Sequence, residues 1–213
     1  MKKLLLVIAF LFAFQNVNAM GIPDEYGARL AMNMGKFNKD WPNWDADRQY
    51  KLGLITGVFA TMMIHTQMAL VAEILYTQKG NKFESSYSGG SSTYTYLMHY
   101  LTLNFFYQYY FWHKFSVFAG PQMGLLLAAS QAWKSDYSGN DESNIKSELN
   151  SLELGLMLGF AYQFSFGLIV DLRYGMGLTN VWKDKFDYNM RNTMLVLGAA
   201  YTFNLLMLRT AQR

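Results

Sequence analysis

Phe166-Gly167-Leu168-Ile169-Val170-Asp171-Leu172-Arg173-Tyr174-Gly175-Met176-Gly177-Leu178-Thr179-Asn180 is the stretch that decides the architecture. Leu168, Val170, Leu172, Tyr174, Met176 and Leu178 take alternate positions, and Asp171, Arg173, Gly175, Gly177 and Thr179 lie between them. A β-strand turns successive side chains to opposite faces, so this segment carries an unbroken apolar row on one face and charges and small residues on the other. A transmembrane barrel uses both faces, one against lipid and one toward a polar lumen.

The same alternation recurs at 26–36, 48–62, 67–78, 94–111, 114–132 and 150–164, and again at 193–203, with the opening segment read as 167–181. The gaps alternate in kind. Met63 to Thr66, Trp112-His113 and Ser165-Phe166 are of hairpin length, whereas 37–47, 79–93, 133–149 and 182–192 are rich in Asn, Asp, Ser, Gly and Lys and read as solvated loops. Short turns at one end, long loops at the other and an even strand number predict an all-β, eight-stranded, antiparallel up-and-down transmembrane β-barrel of the bacterial outer membrane. Both termini are then periplasmic.

Composition agrees with a barrel and excludes other classes. Hydrophobic residues make up 52% of the chain, yet mean hydropathy is close to zero, which requires that half of each spanning segment be polar. Beyond the N-terminus no run approaches the roughly 18 apolar residues of a helical span. Lys2 and Lys3, an apolar Leu4 to Phe14 and Val17-Asn18-Ala19 form a secretory signal peptide over 1–19, leaving 20–213 as a single barrel domain. With no cysteine, neither lipid attachment at a thiol nor a disulfide is available. Lys2 and Lys3 aside, basic and acidic residues nearly balance, so no nucleic-acid partner is expected.

Parity assigns the interior. Tyr26, Ala28, Leu30, Met32 and Met34 face outward, so Arg29 faces inward; the same reasoning sends Glu73, Asp171 and Arg173 to the lumen at similar depth, with Lys51 and Glu153 nearer the outer mouth. Turning Arg173 to lipid instead would cost roughly 2–4 kcal/mol at mid-depth. Eight strands enclose only enough room for side chains, so a plugged lumen with Arg29 and Arg173 paired to Glu73 and Asp171 is expected. Trp41, Trp44, Trp133 and Trp182 are expected at the outer rim, and Tyr109, Tyr110, Phe111, Trp112, Phe164 and Phe166 at the inner one, as the interfacial girdles.

A search for chemistry gives little. Of the three histidines, His65 and His113 fall in turns, and His99 falls on the lipid-facing parity among Leu97, Leu101 and Leu103 with no carboxylate spaced to orient it. Asp136, Asp141 and Glu142 share one loop without metal-site spacing, and Ser88-Gly89-Gly90-Ser91 lacks the Lys-Ser/Thr of a phosphate loop. No catalytic residue, metal or cofactor is assigned.

Glu73-Ile74-Leu75-Tyr76-Thr77-Gln78-Lys79-Gly80, then Tyr96-Leu97, Phe118-Ala119-Gly120-Pro121-Gln122-Met123-Gly124-Leu125-Leu126, and Asp171 through Asn180 resemble, in order, the PorT-like outer-membrane β-barrel family. The resemblance implies an eight-stranded outer-membrane protein; PorT itself is tied to a protein-secretion and gliding apparatus. Met98 and Tyr100 depart from the family's inward Glu and Pro, and the chain runs past Phe203 to Arg213 as a candidate periplasmic contact. The expected role is a non-enzymatic structural or accessory component of an envelope complex, in contact with outer-membrane lipid and lipopolysaccharide. The alternative is a channel for small solutes or hydrophobic compounds.

Overall fold

The structure, a computed structural model, describes residues 23–37, 47–87, 90–112, 114–135, 139–183 and 190–203. The expected signal segment, Trp41, Trp44, His113 and the tail after Phe203 lie outside the described residues.

Strands β1 (Glu25–Phe37), β2 (Asp47–His65), β3 (Met68–Tyr87), β4 (Gly90–Trp112), β5 (Phe115–Ser135), β7 (Leu152–Gln163), β8 (Leu168–Gly177) and β9 (Asn192–Thr202) pair antiparallel in order, and β9 returns to β1. The ring has eight strands and no edge. A circuit of directly opposed residues from Met34 passes Leu195, Tyr174, Leu158, Ala119, Tyr107 and Leu70 and reaches Met62, beside the Glu25–Thr61 pair at the far end of β1. That stagger is the strand tilt that lets a narrow sheet close on itself.

Alternation drives the closure. In β1 buried and exposed residues alternate along the strand, with Leu30, Met32 and Met34 turned outward and Arg29, Ala31 and Asn33 inward. At the short-turn end the outward face is aromatic. Tyr162 and Phe115 meet at 4.6 Å, Phe164 and Tyr162 at 4.7 Å, Phe164 and Phe166 at 5.3 Å, and Tyr26 and Phe203 at 6.3 Å.

The wall is uneven. β1, β7, β8 and β9 have 13, 12, 10 and 11 residues, close to the roughly 9–11 that cross a bilayer. β2 to β5 have 19, 20, 23 and 21, and rise past them at the long-loop end. Ser85, Ser86, Gly90, Ser91 and Ser92 of the Ser/Gly stretch expected as a loop are part of this extension, since Ser85 pairs with Ser92, Ser86 with Ser91 and Tyr87 with Gly90. Its small residues signal a loop only locally; the Thr93-Tyr94-Thr95-Tyr96 run opposite favours a strand and carries the ladder on. Above the Leu125–Leu152 pair β7 leaves β5, and the vacated edge takes up a short strand, β6 (Gly139–Asn144), within the expected 133–149 loop.

Candidate functional site

The lumen is occupied in layers. At its centre Arg29 (β1), Glu73 (β3), Asp171 and Arg173 (β8) meet, all 6% exposed or less. Arg173 Nη1 and Nη2 donate to Glu73 Oε2 and Oε1 at 2.7 and 2.9 Å, and its Nε donates to Asp171 Oδ1 at 2.6 Å. Arg29 Nη1 donates to Asp171 Oδ2 at 2.5 Å, and its Nε lies 3.1 Å from Glu73 Oε1. Asn104 Nδ2 adds a bond to Glu73 Oε2 at 2.9 Å. Two cations and two anions leave the layer neutral. The Arg173 guanidinium is further held between Phe106 and Phe118, 5.2 and 4.9 Å from the ring centres.

A second polar layer lies six residues farther along β3. Lys79 Nζ donates to Glu153 Oε1 at 2.7 Å and to Gln122 Oε1 at 3.3 Å, Asn192 Nδ2 donates to Glu153 Oε2 at 2.7 Å, and Lys79 lies 5.1 Å over the Tyr100 ring. Ala31, Ile55, Leu75, Met157 and Val196 separate the layers. The cavity left between them, bounded by Arg29, Thr77, Asn104, Gln122 and Arg173, is about 10 Å³, at the lower limit for a single water.

The long-loop end is closed by apolar side chains. Phe37, Phe83, Tyr96, Met98, Tyr100 and Leu126 from the strands pack with Ile145, Leu149, Val181, Trp182 and Met190 from the connections. Met98 and Tyr100, where the family resemblance implies an inward Glu and a Pro, belong to this cap. The Tyr100 hydroxyl donates to Met98 Sδ at 3.7 Å.

The four charges expected at mid-depth come together, and Glu153 lies in the upper layer. Lys51 has its aliphatic stem against Gly80. Lys79 stands where a loop was expected; it shares inward parity with Glu73 and Thr77, a signal that the adjacent glycine obscured. The girdle expectation needs correction. Trp182 is 4% exposed inside the cap, Trp133 stacks on Tyr94 on the lumen-side face at 6.2 Å, and Tyr110 shares the inward parity of Asn104 and Gln108. Position near a rim along the chain does not decide which face a side chain takes; strand parity does. At the inner rim Tyr109, Phe111, Trp112 and Phe166 stand exposed, Trp112 most of all at 68%. Among the described residues no group of three or more His, Asp or Glu is placed to hold a metal.

A closed antiparallel ring with an apolar outside and a charge-paired inside defines a transmembrane β-barrel. The family model of the outer membrane protein beta-barrel domain matches residues 15–183, and the chain belongs to that family. It is an outer-membrane β-barrel protein of the bacterial envelope. A search of the curated proteins gives no match. Among solved structures the chain is similar to Ail, the attachment invasion locus protein of Yersinia pestis, at 9% identity and TM-score 0.45 over 85% of this chain and 100% of that one. Neisserial surface protein A follows at 14% identity and TM-score 0.46 over 84% and 97%. OprG of Pseudomonas aeruginosa has 11% identity and TM-score 0.37 over 84% and 94%.

Proposed function

We propose that the protein is a non-enzymatic scaffold of the outer membrane, with its short turns and termini in the periplasm, whose long-loop end docks a partner in a larger envelope complex. The observation that carries this reading is the filled lumen: among the described residues, two ion-paired layers with a cavity of about 10 Å³ between them lie beneath an apolar cap. With the interior committed to stability, recognition falls to the surface that exceeds what a membrane needs. That surface is the extension of β2 to β5 with β6 on its flank, where the outer edge of β6 pairs with no further strand among the described residues. An unpaired strand edge offers backbone donors and acceptors to an added strand. The narrower PorT-like reading would make the partner a secretion apparatus.

Two measurements test it. Purified protein in planar bilayers is expected to give no stable open conductance, and a large steady one would reject the scaffold in favour of a channel. A photo-crosslinking residue at Ser143 on β6 is expected to capture a stoichiometric envelope protein in intact cells. Recovery of the barrel alone would reject the docking role.

A further inference from the structure

His99 is an imidazole on the apolar outer face of β4, and its surroundings determine which nitrogen holds its proton. The ladder between β2 and β3 is irregular: pairing stops at Ile55–Thr77 and resumes at Tyr50–Asn81, so four residues of β2 face three of β3. Side chains stitch the break. Asn33 Nδ2 donates to the Gln78 carbonyl at 2.8 Å, and the Leu54 N–H donates to Gln78 Oε1 at 3.3 Å.

The second bond fixes the Gln78 amide with its oxygen toward β2. Its Nε2 therefore donates to the Tyr76 hydroxyl, at 3.3 Å. A hydroxyl that accepts there keeps its own hydrogen available for His99 Nδ1, with which Tyr76 is hydrogen-bonded and on whose ring it stacks at 5.8 Å and 29°. A neutral imidazole that accepts at Nδ1 carries its proton on Nε2. His99 Nε2 has no hydrogen-bond partner among the described residues. Leu97, Leu101 and Leu103 flank it on β4, and Leu125 and Leu127 are exposed on β5.

An unsatisfied donor in hydrocarbon is costly. We propose that Tyr76, oriented by Gln78, donates to His99 Nδ1 and so holds the tautomer in which His99 Nε2 donates to an acyl-ester oxygen of a membrane lipid, with Tyr76 and Gln78 as positioning residues. The oxygen is one at the outer edge of the apolar belt, below the headgroup phosphates, because His99 stands in the long-loop half of β4 with leucines on either side of it. The inference rests on the membrane-barrel reading of the outer face.

The test compares folding of the wild type, His99→Leu and Tyr76→Phe into vesicles of diester phosphatidylcholine and of ether-linked phosphatidylcholine with the same chains, by urea titration. The wild-type folding constant is expected to fall about tenfold from ester to ether lipid, the scale of one net hydrogen bond, while His99→Leu shows no difference. An equal fall in His99→Leu, or none in the wild type, overturns the site. Ring nitrogen shifts give the independent readout: Nδ1 bare and Nε2 protonated in the wild type, a tautomer mixture in Tyr76→Phe. An unmixed Nε2–H in that variant overturns the positioning role. A wild type that enters neither vesicle overturns the barrel reading and the site with it.

Discussion

The two charged layers of the lumen do the same job with different means. Each is neutral, each is buried, and each ties β3 to the opposite wall: Glu73 to Arg173 of β8, Lys79 to Glu153 of β7. The central layer uses two guanidiniums, whose flat forks satisfy two carboxylates at once and leave each charge with more than one partner. The upper layer uses one ammonium and makes up the rest with neutral donors and acceptors, Asn192 and Gln122. A buried charge is tolerated in proportion to its compensation, so the central layer tolerates the loss of a member less than the upper one does.

Arg173→Leu is the change that should break this contrast most sharply. It strips Glu73 of a bidentate partner and Asp171 of its Nε bond, leaving one cation, Arg29, between two carboxylates. The expected loss is about 3–5 kcal/mol in urea unfolding from vesicles, the scale for breaking a buried ion pair. Adding Asp171→Leu restores neutrality with Arg29 facing Glu73, and the double variant should be more stable than the single. A double variant worse than the single would mean that packing around Phe106 and Phe118, not charge balance, sets the value of the layer.

Parity made the central layer legible. Arg29, Glu73, Asp171 and Arg173 each sit inside a long alternating run, and a period of two leaves one choice of face once lipid claims the apolar row. Lys79 lies beyond the point where β3 loses its apolar partners and enters Gly80-Asn81-Lys82, so composition marks a loop while the ladder with β4 continues. The cap was hidden for another reason: Ile145, Leu149, Val181 and Trp182 reach it from irregular segments, where no period tells inside from outside. Backbone pairing across strands and the folding-back of connections are tertiary facts, and the alternation of a single strand does not encode them.

Lys79→Met should cost less than Arg173→Leu, about 2 kcal/mol, because Glu153 keeps its bond from Asn192. The double variant Lys79→Met with Glu153→Gln removes both charges and should recover most of the loss. Equal losses for Lys79→Met and Arg173→Leu would erase the distinction between the layers.

The smallest expected effect compares two glycines, one in each layer. A Cβ on Gly198 would lie 2.8 Å from Arg29 Nη1 and 3.1 Å from Asp171 Oδ1 and from the Ala31 Cβ. The Arg29 and Asp171 atoms are side-chain ends pinned by their ion pair, and the Ala31 Cβ is fixed to its backbone, so the added methyl must displace the Arg29–Asp171 contact. On Gly124, which pairs with Glu153, the Cβ would meet Tyr100 Cδ1 at 3.2 Å and Glu153 Cβ and Thr102 Cγ2 at 3.6 Å, contacts that a small ring shift relieves. Gly198→Ala is therefore expected to cost about 1 kcal/mol, at the low end for overpacking, and Gly124→Ala close to nothing, both read from the same urea titration. The order follows from stiffness: a layer in which every charge has two partners has no slack to admit a methyl group, and a layer built on one flexible lysine has some. Reversal of that order would place the rigidity of the lumen in its upper layer.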